Sequence, residues 1–77
     1  MWSRRIGRME KEDNVIISTV QPAALAWYGN YETAISFDGG REWRIAEGYG
    51  SEDEAENGHK KYCAMSNDEL ANLNFID

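Results

Sequence analysis

The chain has 77 residues, a formal net charge of −6 and a single cysteine, Cys63. This length suits one small domain, near the lower limit for a self-sufficient hydrophobic core. A single cysteine excludes an internal disulfide framework and a thiol cluster for zinc, and it suits a reducing cytoplasm. No apolar run approaches membrane-spanning length and no charged-then-apolar leader is present, so we expect a cytoplasmic protein without a membrane partner.

The charge is unevenly distributed along the chain. Residues 1–11 carry four basic side chains against Glu10, a net charge of +3, which leaves −9 for the remaining residues. An acidic body of this kind repels phosphates. We therefore expect no direct binding to nucleic acid.

Residues 1–13 are predicted to form a basic, flexible leader, and residues 14–77 a single α+β domain. Trp2, Ile6 and Met9 recur at helical spacing in the leader. Isolated helices of this length are marginal in water, and the glycine within the segment weakens one further. A frayed tail is therefore the expected state of the leader.

The first strand is predicted over residues 14–20, which are rich in β-branched side chains that suit a pleated surface. Apolar residues on both of its faces favour an inner position in the sheet or pairing with a second subunit, while sequential strand order is the default. Pro22 ends this strand because proline cannot donate to a ladder. A connection over residues 21–30 follows.

Two alternating segments, residues 31–37 and 41–49, are predicted to form a β-hairpin. Apolar and polar residues alternate along both segments with the period of two that is typical of strands with one buried face. A three-residue loop, Asp38–Gly40, keeps the apolar side chains on a common face, since a shift of one residue would move each of them to the other face. This register places Ile35 opposite Trp43.

The hairpin turn, Ser36–Trp43, also resembles the Asp-box, S-x-D-x-G-x-T-W, a turn known from the blades of sialidase propellers. Glu42 stands at the usual threonine position. The motif occurs once, whereas a propeller needs several four-stranded blades. We interpret it as turn chemistry, with Gly40 at a left-handed position, and we predict no glycosidase activity from it.

Residues 52–65 are predicted to form the main helix, packed on one face of a three-stranded antiparallel sheet. Ser51 and Glu54 have the spacing of a capping box, and the first turn of the helix is acidic. The residues predicted to face the sheet are small, apolar or aromatic: Ala55, Gly58, His59, Tyr62 and Met65. Because glycine inside a helix costs about 1 kcal/mol relative to alanine, we interpret Gly58 as a point of close approach to the sheet.

Residues 66–77 are predicted to form a short C-terminal helix and tail. Ser66 and Glu69 repeat the capping-box spacing, which indicates a break after the main helix. Four apolar residues of this tail either fold back on the sheet or form a homo-oligomer contact: Leu70, Leu73, Phe75 and Ile76.

The order and spacing of several short motifs resemble a family of small proteins encoded by bacteriophages and prophages. Members of that family read roughly STV, then YET with an apolar strand, then a helix of the form Y-x-T-x-E-E-A-x-x-G-H. This chain has STV at residues 18–20, YET at 31–33 and YGSEDEAENGH at 49–59, and it departs from the pattern with AISF at residues 34–37, where members often continue with Met-Val-Phe. The resemblance covers about residues 16–65. It implies a phage setting, and it implies no activity, cofactor or catalytic residue.

Two groups of side chains are candidates for a site. His59 and Cys63 lie four residues apart on the predicted helix, so they form a thiolate couple, two ligands of an incomplete metal site, or a half-buried histidine beside a small core thiol. The third interpretation is preferred because free cysteines are mostly buried and inert. We therefore predict no catalytic, metal or cofactor residues.

A binding surface is the second candidate site. Its members are aromatic residues around the connection together with the only histidine: Trp27, Tyr28, Tyr31 and His59. Such amphipathic side chains are frequent at interfaces, although in so small a domain they also serve as core. Glu47 is expected on the apolar strand face opposite Tyr31, either in an edge ion pair with Arg41 or Arg44 or as a functional acid.

The sequence favours a non-enzymatic accessory protein that binds and modulates a host protein, with a defence component as one class of partner. One specific version is an acidic face that mimics nucleic-acid phosphates for a basic host site. The alternatives are a protein that sequesters a nucleotide-like small ligand and a structural module that oligomerises. An enzyme that uses Cys63 and His59 is the least favoured hypothesis.

Overall fold

The computed structural model describes residues 4–23 and 29–77. These residues form a four-stranded antiparallel sheet followed by two helices. The strands have the same order in the chain and in the sheet: β1 (Arg4–Glu10), β2 (Ile16–Gln21), β3 (Tyr31–Ser36) and β4 (Arg44–Tyr49). Helix α1 (Glu52–Cys63) and the short helix α2 (Asn67–Ala71) complete the domain. The α+β class is confirmed.

The prediction of a three-stranded sheet is wrong, because β1 adds a fourth strand within the segment that we expected to be a flexible leader. β1 pairs with β2, and Met9 lies opposite Ile17. A bulge between Arg5 and Gly7 breaks the two-residue alternation along β1. Because of this irregularity, the sequence of β1 lacks the alternation that is typical of a strand. The segment becomes a strand by pairing with β2.

A tight turn between β1 and β2 makes this pairing possible. Asp13 and Asn14 have φ angles of 60° and 65°, in the left-handed region that these two residue types tolerate better than most. The backbone N–H of Lys11 donates to the carbonyl of Val15 at 2.7 Å and closes the turn. β2 is therefore an inner strand, as its two-sided apolar pattern predicted, and the sequential strand order is also confirmed.

The predicted three-residue hairpin loop is wrong, since seven residues separate β3 from β4. The Asp38 carboxylate accepts hydrogen bonds from the backbone N–H groups of Arg41 and Glu42, both at 3.0 Å. The Ser36 hydroxyl accepts from the N–H of Gly40 at 2.8 Å and donates to Asp38 at 2.8 Å. Gly40 has a φ of 99°, the left-handed conformation that we predicted. These side chains satisfy the loop backbone and stabilise a wider turn.

The longer loop also changes the register of the hairpin. Ile35 pairs with Arg44 and not with Trp43. The hairpin also contains a bulge. Thr33 pairs with Glu47 and Ala34 pairs with Ile45, so Ala46 of β4 has no partner on β3. The predicted register assumed strict alternation on both strands, and this bulge violates that assumption.

Both predicted helix starts are present, and their side chains explain why. Ser51 accepts a hydrogen bond from the N–H of Glu54 at the start of α1. The Glu54 carboxylate accepts the Ser51 hydroxyl at 2.9 Å. At α2 the capping box is complete, because Ser66 and Glu69 each accept a backbone N–H from the other. No helix in the described parts of the chain is both long and apolar enough to cross a bilayer.

The hydrophobic core lies between one face of the sheet and the helices. Its buried members come from β2, β3, β4, both α-helices and the residue that precedes β2: Val15, Ile17, Ile35, Ala46, Tyr62 and Leu70. Of the face predicted for α1, Ala55, Gly58 and Tyr62 are buried, and Met65 packs against the core. The C-terminal tail folds back on the sheet, where the N–H of Ile76 donates to the carbonyl of Ile45 at 2.9 Å.

Candidate functional site

A chain of polar side chains runs beneath α1, where the helix crosses the sheet. The Sγ of Cys63 lies 3.4 Å from Nε2 of His59, and Nδ1 of the same ring is 2.7 Å from the Thr19 hydroxyl on β2. Thr19 is hydrogen-bonded at 2.6 Å to the hydroxyl of Thr33 on β3, which is 2.9 Å from the Tyr49 hydroxyl on β4. One continuous network therefore joins α1 to β2, β3 and β4.

The strand register brings the two threonines together. Thr19 and Thr33 are directly opposite each other on β2 and β3, and both are fully buried. Each hydroxyl has a partner on either side, so each can donate one hydrogen bond and accept another. Buried hydroxyls are costly when unpaired, and a fully satisfied network of this kind fixes one arrangement of helix and sheet.

Two glycines allow the helix and β1 to approach this network. A Cβ atom on Gly58 would overlap the ring and hydroxyl of Tyr49, which confirms the predicted close approach of α1 to the sheet. On β1, a Cβ on Gly7 would lie 2.6 Å from the imidazole of His59. Both positions therefore exclude a side chain, and His59 is held between α1 and β1.

The His59–Cys63 pair carries no net charge near neutral pH. Burial lowers the pKa of the His59 imidazole below its ordinary value. Burial also raises the pKa of the Cys63 thiol, although the positive charge of Lys11 opposes this shift. A nucleophilic cysteine needs the opposite arrangement, a thiolate beside an imidazolium. The geometry therefore favours a neutral thiol and a neutral ring over a thiolate couple.

The far flank of α1 contains an ion pair that holds the helix to β4. Glu47 accepts hydrogen bonds from Lys61 Nζ at 2.8 Å and from the Tyr62 hydroxyl at 3.1 Å. Burial, with a smaller effect of the Glu47 charge, raises the pKa of Tyr62 to about 12. Glu47 is therefore a helix-to-sheet contact, and its partner is Lys61 and not Arg41 or Arg44 as we expected.

Burial also raises the pKa of Tyr49 to about 12, although the hydrogen bond to Thr33 opposes the shift. Tyr49 and Tyr62 therefore both keep their protons well into the alkaline range. Their hydroxyls serve as hydrogen-bonding groups of the interlayer contact.

Only part of the predicted aromatic surface can be placed. Trp27 and Tyr28 lie outside the described residues. Tyr31 is half-buried in the sheet, directly opposite Tyr49, where we had expected Glu47. His59 is half-buried in the polar chain. Both described members of this predicted surface are thus built into the sheet and the helix packing.

The apolar tail residues that we considered for a homo-oligomer mostly serve the fold. Leu70 is fully buried in the core, and Leu73 and Phe75 pack against it. Phe75 also meets Phe37 edge to face, with ring centroids 6.1 Å apart. Ile76 is the most exposed of the four, at 39%. Leu70 is therefore part of the core of the domain itself.

Charged or polar residues dominate the lining of the open clefts that stand out on the described surface. One, of about 490 Å³, lies between the β1–β2 turn and the start of α2. Two others flank α1, with volumes of about 260 and 280 Å³. Small-molecule sites are usually concave and mostly apolar, so these clefts resemble grooves between packed elements more than ligand pockets.

The outer surface of the helices concentrates the negative charge of the protein. Residues 51–77 hold seven carboxylates and two lysines, a formal net charge of −5, whereas residues 4–50 hold seven carboxylates and six basic side chains, a net charge of −1. Asp53, Glu54 and Glu56 are exposed on α1, and Asp68 and Glu69 are exposed on α2. The helix layer therefore presents an acidic face, and the sheet layer is close to neutral.

Sequence reasoning missed the threonines and Tyr49 as members of the polar chain. The sequence indicated only that Thr19 and Thr33 each lie two residues from a core isoleucine, Ile17 or Ile35, and therefore on the same face of their strand. This spacing places both hydroxyls on the side of the sheet that faces the helix. That the two hydroxyls meet can be deduced only when the register between β2 and β3 is known.

Comparison of the chain with protein-family models, curated proteins and solved structures finds no match.

Proposed function

We propose that this protein is a non-enzymatic binding protein that uses the acidic outer face of α1 and α2 to engage a basic surface on a host protein. The setting is the cytoplasm of a phage-infected bacterium, in keeping with the resemblance of its motifs to small phage proteins. Components of host defence are one class of partner. The acidic face takes the place of nucleic-acid phosphates at a basic host site.

The separation of charge between the two layers is the observation that carries this proposal. Five of the six net negative charges belong to residues 51–77. Charges of one sign on one side of a small domain orient it during encounter and raise its rate of association with an oppositely charged surface. Lys61 of this layer is paired with Glu47 on β4, and Arg4 of β1 offsets one of the seven carboxylates, Glu52 at the start of α1.

The outer carboxylates are also available for contact. Asp53 and Glu56 are exposed and lie three residues apart on α1, which makes them neighbours on the helix surface. The buried side of the same helix supports the domain through His59 and Tyr62. Binding and folding are thus assigned to opposite sides of α1.

The test compares two double variants with the same change in charge. Asp53→Asn with Glu56→Gln removes two carboxylates from the acidic face, and Glu10→Gln with Glu42→Gln removes two exposed carboxylates from the sheet layer. Each protein and the wild type serve as bait in a bacterial lysate, and captured proteins are quantified by mass spectrometry. A partner that prefers the wild type is then purified and titrated at several salt concentrations.

We expect the acidic-face variant to bind this partner about tenfold more weakly, which corresponds to ~0.7 kcal/mol for each charge removed. The sheet-layer variant retains wild-type affinity, and added salt weakens the wild-type complex. Equal affinities for the two variants, or a complex insensitive to salt, would contradict the proposal.

A further inference from the structure

We propose that Cys63 Sγ and His59 Nε2 form a two-ligand site for a divalent cation of the Zn²⁺ type on the β1 side of α1. The site is distinct from the acidic face, and it uses the end of the buried polar chain. The two donor atoms come from one helix turn and belong to the only cysteine and the only histidine of the protein. Thiolate sulfur and imidazole nitrogen are the donors that zinc prefers.

The distance between the two donor atoms fits one metal ion. With Zn–S and Zn–N bonds of about 2.3 and 2.05 Å at a tetrahedral angle, the two donors stand about 3.5 Å apart. The Sγ of Cys63 and Nε2 of His59 are separated by 3.4 Å. The separation that the S–H···N hydrogen bond sets in the metal-free protein is therefore close to the one a shared tetrahedral ion requires.

The second ring nitrogen supports this assignment. Nδ1 of His59 is 2.7 Å from the Thr19 hydroxyl, so it can carry the ring proton and donate to Thr19, which leaves the lone pair of Nε2 facing Cys63. Histidines that bind metals usually donate their other ring N–H to a fixed acceptor, and this bond orients the ring. A Cβ at Gly7 on β1 would lie 2.6 Å from Cδ2 and from Nε2 of this ring, so the glycine leaves space beside the ligand nitrogen.

Binding proceeds by exchange of a proton for the metal. The thiol loses its proton to solvent, a sulfur–metal bond forms, and Nε2 contributes its lone pair to the second bond. Among residues 4–23 and 29–77, no three side chains of histidine, cysteine, aspartate or glutamate converge on a metal position. Solvent therefore supplies the remaining two ligands, one more than at the three-ligand zinc sites of enzymes.

Co²⁺ is the spectroscopic probe for this site, added to untagged, reduced protein. We expect a near-ultraviolet thiolate-to-cobalt charge-transfer band that Zn²⁺ removes by competition. Cys63→Ser abolishes the band, and His59→Gln weakens binding by at least tenfold. Thr19→Val keeps both ligands and removes the supporting hydroxyl, so it weakens binding by roughly 10–100-fold. Circular dichroism establishes that each variant is folded.

The single histidine allows a second measurement on the wild-type protein that needs no variant. We expect Zn²⁺ to shift the ¹⁵N resonance of Nε2 of His59 much more than that of Nδ1, with saturation at one equivalent. The proposal is overturned if Co²⁺ gives no charge-transfer band or if Zn²⁺ leaves Nε2 unchanged. A band that is equally strong in a folded His59→Gln protein also overturns it, because the thiolate would then bind alone.

Discussion

The two faces of α1 differ in the side chains they carry and in their exposure to solvent. Its inner face carries Gly58, His59 and Tyr62, which meet Tyr49, Thr19 and Glu47 of the sheet at close range. Its outer face carries exposed carboxylates. One helix thus combines a closely fitted polar contact with an open charged surface, within 12 residues.

This contrast separates the residues that hold the fold from those available to a partner. Inner-face substitutions must disturb buried hydrogen bonds or overlap with the sheet, so their effect should appear as lost stability. Outer-face substitutions touch solvent and should leave the free energy of unfolding nearly unchanged. The predictions below test this division from the inner face outward.

The largest effect is expected from Gly58→Ala. The added Cβ would overlap the ring of Tyr49 and force the helix away from the sheet. Because the overlap involves ring carbons as well as the hydroxyl of Tyr49, we expect a cost above the usual ~1–3 kcal/mol for overpacking, and this cost exceeds the gain of about 1 kcal/mol in helix propensity. Urea unfolding should therefore give a lower midpoint for the variant.

Gly50→Ala is the matched control. A Cβ on Gly50 would make only an ordinary contact, 3.6 Å from the Glu54 carboxylate. We expect its free energy of unfolding to stay within ~0.5 kcal/mol of wild type. A Gly58→Ala protein as stable as Gly50→Ala would show that α1 does not need this close approach.

Thr33→Val should have the next largest effect, because it removes the hydroxyl at the centre of the polar chain. The change keeps the shape of the side chain and leaves Thr19 and Tyr49 without their shared partner. We expect a loss of about 1–3 kcal/mol in the free energy of unfolding. In a Tyr49→Phe background the same change should cost less, and strictly additive losses would contradict a connected chain.

Alkaline pH should destabilise the inner face through its tyrosines. Tyr49 and Tyr62 have folded-state pKa values of about 12, above the ordinary value of 10. The unfolded chain therefore loses these protons first, so stability is fully present below pH 10 and falls as pH rises from 10 to 12. Tyr49→Phe should reduce the slope of stability against pH in this window. An unchanged slope would show that Tyr49 titrates as if exposed.

The smallest change in stability is expected for the outer face. Asp53→Asn with Glu56→Gln should alter the free energy of unfolding by less than about 1 kcal/mol, mostly through weaker interaction with the helix dipole. Thermal unfolding next to wild type measures this difference. A loss as large as that of Gly58→Ala would mean that the outer carboxylates also hold the fold.

Features encoded by neighbouring residues were predictable, and α1 is the clearest case. Ser51 and Glu54 mark its start within one turn, and the spacing of Ala55, Gly58 and Tyr62 defines its buried face. The same holds for the capping box of α2. Local chemistry of this kind needs no knowledge of the remaining chain.

Features that depend on distant pairing were missed. β1 has few β-branched residues and a bulge beside Gly7, so it becomes a strand only through β2. The hairpin register failed because Ser36 and Asp38 stabilise a longer loop and because Ala46 forms a bulge. Without the register, the hydrogen bond between Thr19 and Thr33 cannot be foreseen, and the polar chain cannot be assembled.

The claim that the acidic outer face of α1 binds a host protein is tested most directly by measuring affinity and stability together. The purified partner is titrated with wild type, with Asp53→Asn/Glu56→Gln and with Glu10→Gln/Glu42→Gln, and the melting temperature of each protein is recorded. We predict a roughly tenfold loss of affinity for the α1 variant alone, with similar melting temperatures for all three. Unchanged affinity in the α1 variant, or an equal loss in the sheet-layer variant, would contradict the claim.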